Sequence, residues 1–140
     1  MLEKIAPLIP GLKPQWTASA PLPGGDFTFA EVENRIADFQ RRYSFLSSRN
    51  ARRIFRAYGT RAERIFEGAR FAADLGDSFG PLSGREVDYL VNEEWAETAE
   101  DVLWRRSKLG LHLSDAEQSA LRTYMGQKAG GKTRMKVKAG

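Results

Sequence analysis

No cysteine occurs in the 140 residues, which excludes disulfides, thiol catalysis and cysteine-ligated metal. There is one histidine, His112, so a histidine-rich metal site and a His–His proton relay are excluded as well. No run of about 18 apolar residues occurs, so no segment reads as a membrane span. Residues 1–20 lack both a basic start and a continuous apolar stretch; no secretory signal is read there, and a cytoplasmic location is expected. Alternating β-branched runs of useful length are also missing, which leaves no clear strand. Proline is scarce after residue 23, because five of the six lie at Pro7, Pro10, Pro14, Pro21 and Pro23.

What remains is an ordinary globular composition, 41% apolar and 29% charged. The length fits one domain with an arm. The net charge of +4 conceals strong segregation. Ten arginines between Arg35 and Arg70 stand against Asp38, Glu63 and Glu67, a net of +7. Seven acids and no base lie between Glu86 and Asp101, and five bases and no acid between Lys128 and Lys138. Such blocks attract nucleic acid, anionic lipid or one another. The plainest reading is that the basic and acidic segments face each other or solvent within one helical fold.

Helix signals repeat from Thr28 onward. Thr28 with Glu31, Thr60 with Glu63, Ser83 with Glu86 and Ser114 with Glu117 fit the capping box, and Thr98 with Asp101 is a weaker variant. Apolar stripes follow: Val32, Ile36, Phe39 and Tyr43; Ala51, Ile54, Phe55 and Tyr58, stopped by Gly59; Ala62, Ile65, Phe66 and Ala69; Val87, Leu90, Val91 and Trp95; Val102, Leu103 and Leu109 around Trp104, stopped by Gly110; and Ala116, Leu121, Tyr124 and Met125. The expected fold is therefore all-α: a compact bundle of about six short helices after a Pro-rich extended arm, with a disordered basic tail after Gly126. Residues 2–6 read as the last turn of a helix cut off by Pro7, which suggests a piece of a longer chain.

Five features could carry chemistry or contacts. Gly126 to Thr133 matches the phosphate-loop pattern, but no strand leads into it and only seven residues follow, so it reads as coincidence. Ser47 to Ala73 has the outline of a basic helix-turn-helix, with Arg49, Arg52, Arg53 and Arg56 as phosphate contacts; an ordinary helical hairpin is the commoner explanation. The acids Glu93, Glu94, Glu97, Glu100 and Asp101 lack histidine and read as a solvated face or partners for the arginines. His112 falls in a link between helices, with a surface or capping role. Trp95 and Trp104 read as core anchors, with an interface role as the rival. No catalytic, cofactor-binding or metal-ligating residue is identified.

One long stretch carries a resemblance. Ala73-Asp74-Leu75-Gly76, Phe79-Gly80, Glu86-Val87-Asp88-Tyr89-Leu90, Glu94-Trp95-Ala96 and the unbroken run from Thr98 to Gly110 resemble the C-terminal domain of the aerobic, FAD-dependent glycerol-3-phosphate dehydrogenases. Trp16-Thr17, Leu22 to Asp26, Arg42 to Leu46 and Arg56 to Gly59 fit the same family, so the resemblance covers about residues 2–125; Ser107 departs from it, standing where relatives often have threonine. It implies that residues 1–26 end a flavin-domain helix and form a linker and that 27–125 are the helical C-terminal domain; residues 126–140 carry no family pattern and read from their composition as a basic flexible tail. It implies a parent that oxidises sn-glycerol 3-phosphate to dihydroxyacetone phosphate with FAD and hands electrons to membrane quinone at the cytoplasmic face of the inner membrane. It implies no cofactor and no chemistry in this portion. The role expected here is to pack on the flavin domain and to support dimerisation or membrane-surface docking, with Trp95, Trp104, Arg105 and Arg106 as contact residues. A nucleic-acid-binding module and an anionic-membrane module are the rival classes; nucleic acid is not an expected partner.

Overall fold

The computed structural model describes residues 8, 10–11 and 17–137, with side chains as far as Lys128. Pro7, Pro14, Trp16 and the expected helix remnant at 2–6 lie outside the described residues.

A 3₁₀ turn, Phe29–Glu31, feeds α1 (Val32–Arg42). α2 follows (Ser48–Tyr58), then a 3₁₀ turn Gly59–Arg61 and the single-turn α3 (Ala62–Ile65). After a 3₁₀ turn at Ala72–Leu75 come β1 (Ser78–Phe79) and β2 (Leu82–Ser83), antiparallel, with Ser78 opposite Ser83 and Phe79 opposite Leu82. α4 (Gly84–Glu93), a π-helix (Asp101–Arg106), a 3₁₀ turn (Leu109–Leu111) and α5 (Asp115–Val137) complete the chain.

The core is built where the apolar stripes meet. Phe39 of α1 has its ring centroid 5.8 Å from those of both Phe55 of α2 and Phe66 after α3. Tyr58 and Tyr89 tie α2 to α4 at 5.4 Å, and Phe79 and Tyr124 tie the hairpin to α5 at 5.2 Å. Phe66, Ile54, Leu90, Leu103 and Leu121 are fully buried. Each such side chain stabilises the fold by about 1.5–3 kcal/mol through removal of apolar surface from water.

Pro21–Gly25 lies against the end of α2. The Thr60 amide donates to Gly24 O at 3.2 Å, the Thr60 hydroxyl donates to Asp26 Oδ1 at 2.5 Å, and the Phe27 ring sits 5.6 Å from Phe55. The two backbones cross so closely that a Cβ at Gly59 would stand 1.8 Å from Gly24 O, and Gly59 has φ +57. Gly59 is thus needed for close approach as much as for stopping α2.

The helical expectation holds, with local corrections. The Phe79–Leu82 hairpin is too short for a two-residue periodicity to reveal. The run expected as a helix from Thr98 to Gly110 winds as a π-helix closed by the Ser107 amide and hydroxyl, which both donate to Val102 O (3.0 and 2.6 Å), before the 3₁₀ turn. The Thr60–Glu63 box does not form, because Thr60 is drawn to Asp26 and Glu63 pairs with Arg42. The tail expected to be disordered continues the backbone helix to Val137, although Gly126, Gly130 and Gly131 each cost a helix about 1 kcal/mol relative to alanine.

Candidate docking site

Trp95, expected in the core, is 83% exposed. The cause is local. α4 closes with the Glu94 and Ala96 amides both donating to Leu90 O (3.2 and 3.0 Å), and between them Trp95 adopts φ +57. That turn carries the indole outward and puts Ala96 in the buried position instead. Beside it, α4 and α5 leave a cavity of about 550 Å³. Val87, Val91 and Met125 give it an apolar lining, with Trp95, Asp88 and Lys128 also facing it. Lys128 ion-pairs with Asp88 and lies 4.6 Å from the Tyr124 ring centroid. Burial pulls the Lys128 ammonium down, but the Asp88 carboxylate and the Tyr124 hydroxyl outweigh it and hold it above the ordinary lysine value.

Trp104 is 40% exposed and also not a full core residue. It projects from the π-helix onto Gly110, where a Cβ would stand 2.6 Å from the indole, so the glycine is the seat of the ring. The π-helix start is fixed by Asp101, whose carboxylate accepts from the Thr98 and Glu97 amides (2.9 and 3.1 Å), the Thr98 hydroxyl (3.0 Å) and Arg105. The Thr98 hydroxyl accepts from the Asp101 amide at 3.2 Å, completing the weaker capping box. The two backbone amides, then the Thr98 hydroxyl, hold the Asp101 carboxyl at a pKa of about 2. Arg105 is thereby tied to its own helix, while Arg106 is exposed. The structure brings Trp104, Arg105 and Arg106 together on one element; none of them lines the cavity beside Trp95.

The arginine-rich segment is largely answered by acids. Arg52 grips Glu33 with two bonds (2.8 and 2.6 Å), and Arg56 reaches the same carboxylate at 3.7 Å. Arg42 meets Glu63 at 2.8 Å and Arg64 meets Glu93 at 3.7 Å. The second helix of the suspected helix-turn-helix is a single turn, too short to lie along a groove. Among the described residues no group of three or more His, Asp or Glu could hold a metal. The phosphate-loop pattern lies inside α5 with no strand before it.

Sequence reasoning missed the network at the centre of these contacts. Glu86, read as a capping acid, is fully buried. Ser83 Oγ still accepts from its amide (3.3 Å), but the carboxylate turns inward to take two bonds from Arg53 (both 2.7 Å) and one from the Tyr58 hydroxyl (2.8 Å). Arg53 also donates to Pro81 O at 2.7 Å. Burial, then Glu86, pushes the Tyr58 hydroxyl far above its ordinary value, so it stays a donor. The signal was present: Glu86 shares a helix face with Leu90, four residues on.

Residues 15–128 match the family described as the C-terminal domain of alpha-glycerophosphate oxidase. A glycerol-3-phosphate dehydrogenase of Pseudomonas aeruginosa is 47% identical over 125 residues, 89% of this chain and 24% of that protein. The aerobic glycerol-3-phosphate dehydrogenase of Escherichia coli is 38% identical over 125 residues, 89% of this chain and 25% of that protein. The D-erythritol 1-phosphate dehydrogenase of Brucella abortus is 37% identical over 120 residues, 85% of this chain and 24% of that protein. The chain thus spans about a quarter of the length of these relatives.

Proposed function

The chain belongs to the family of C-terminal domains of alpha-glycerophosphate oxidase, and on that premise we propose that it is the helical accessory part of a flavin-dependent dehydrogenase acting on sn-glycerol 3-phosphate. The observation that supports this reading is the match along 89% of the chain that accounts for only 24% of the relative. In this reading the parent yields dihydroxyacetone phosphate, FAD in a separate flavin domain takes the hydride, and the electrons pass to quinone at the cytoplasmic membrane face. Attachment there is peripheral; no helix among the described residues is long and apolar enough to cross a membrane. This chain packs on the flavin domain through Trp95, Trp104, Arg105 and Arg106 and holds no reacting group. An exposed tryptophan held outward by backbone geometry is the kind of anchor an interface uses.

A graft tests this. The chain is fused in place of the matching quarter of the Pseudomonas aeruginosa enzyme, and dye reduction by sn-glycerol 3-phosphate is measured. The graft is expected to bind FAD and turn over, while the chain alone with added FAD does neither. Turnover by the chain alone, or a folded, flavin-loaded graft without activity, overturns the reading.

A further inference from the structure

We infer that the cavity between the start of α2 and the turn that follows the π-helix binds a phosphate monoester. The inference goes beyond the accessory role and does not rest on it. The cavity measures about 450 Å³; Arg49 and Asn50 line it from α2, and Ser107, Lys108 and His112 from the other side. None of its lining residues is a carboxylate.

That is unusual in this fold, because most cationic side chains elsewhere face an acid. Arg35, Arg41, Arg42, Arg52, Arg56, Arg64, Arg105, Arg122 and Lys128 all do. Arg53 lines the cavity too, but its guanidinium is committed to Glu86, Pro81 O and Asn50. The side chains of Arg49, Lys108 and His112 have no ion pair or hydrogen bond among the described residues. Three nitrogen donors, two of them cationic, therefore line one concavity with no protein counter-ion, and the positive potential there favours an anion.

Lys108 supplies a second, independent observation. It sits at φ +59 and ψ 13, a left-handed conformation that glycine or asparagine takes with less strain. This left-handed residue ends the π-helix and places at the cavity a charged side chain that no internal contact uses. The ligand class follows from the donors. Guanidinium, ammonium and imidazole N–H are hydrogen-bond donors to a tetrahedral oxyanion, and a phosphate monoester offers its three terminal oxygens as acceptors to them. Leu111, which is exposed, lines the same cavity and offers contact for the carbon skeleton of a small organic phosphate or for the glyceryl part of a lipid.

The test is a titration of the chain at constant ionic strength, read by NMR shifts at Arg49, Lys108 and His112. One arm uses inorganic phosphate and sn-glycerol 3-phosphate, the other phosphatidic acid vesicles against phosphatidylcholine vesicles. Arg49→Gln and Lys108→Asn are run alongside. Lys108→Asn suits the left-handed backbone, so an unchanged or raised melting temperature separates loss of the site from loss of fold. Saturable shifts at these residues are expected, with the dissociation constant raised about tenfold in each variant, as loss of one charge-assisted hydrogen bond gives. Saturation in the soluble arm assigns the site to small phosphates, and saturation by phosphatidic acid alone assigns it to a lipid headgroup. No saturable binding in either arm, or binding unchanged in both variants, overturns the inference.

Discussion

At the residue scale the fold turns on one buried carboxylate. Glu86 has no access to water, and its charge is met by two Arg53 bonds and one from Tyr58. Removing one partner leaves the others desolvated and unpaired. Glu86→Ala should therefore destabilise the chain by about 3–5 kcal/mol, the usual cost of breaking a buried pair from one side. Replacing both members, Arg53→Met with Glu86→Leu, should recover most of that loss, because no orphaned charge remains. Urea denaturation midpoints at neutral pH separate the two outcomes; a double variant no better than Glu86→Ala would show that Pro81 O and Tyr58 depend on the pair for their own hydrogen bonding. The sequence carried a sign that Glu86 is buried, its place on the Leu90 face of α4, but none of its partner. A glutamate three residues after a serine has a ready use as a capping acid, and only the partner brought from 33 residues away decides otherwise. The two tryptophans failed for a related reason: apolar periodicity places a residue on a face only while the backbone stays helical, and Trp95 stands just past the end of α4 with a positive φ.

At the element scale the start signals were the most legible part. Ser114 and Glu117 form the full box ahead of α5, with the Glu117 carboxylate accepting the Ser114 amide at 2.7 Å. Glu31 accepts the Thr28 amide at 2.8 Å, and Ser83 caps α4. What could not be read was how wide the turn after Thr98 winds, since that depends on the Ser107 hydroxyl reaching Val102 O. The cap of this π-helix makes a pH prediction. The folded Asp101 carboxyl, at about 2, lies below its ordinary 3.8. A depressed value means that ionised Asp101 stabilises the fold at pH values above about 4, and that this contribution fades as pH falls towards 2. Asp101→Asn should melt below the wild type at pH 7, and the gap should narrow across that window and close near pH 2. Thermal melts at pH 7, 4 and 2 check it; a gap that stays constant with pH would assign the effect to hydrogen-bond geometry rather than charge.

At the scale of the whole molecule the segregated charge was legible, and so was its partial cancellation. Arg53 with Glu86 and Arg64 with Glu93 join the basic block to the acidic one, while Arg52 and Arg42 find acids on neighbouring helical segments. The exposed pairs contribute little stability each, about 0–1 kcal/mol, but they occupy guanidinium groups that a nucleic-acid reader would need free. The surface then has a division of labour: paired charge over much of it, an indole projecting at the end of α4, and unpaired cations gathered at Arg49 and Lys108. The indole can be tested in two settings. In the chain alone, Trp95→Ala removes a side chain that is mostly in water, so stability should change by no more than about 0.5 kcal/mol. In the graft with the Pseudomonas aeruginosa flavin portion, the same substitution should lower the melting temperature and speed proteolytic release of this domain, because a buried aromatic anchor is lost only there. Equal, small effects in both settings would place the flavin-domain contact on another face and leave the cavity between α4 and α5 unpartnered.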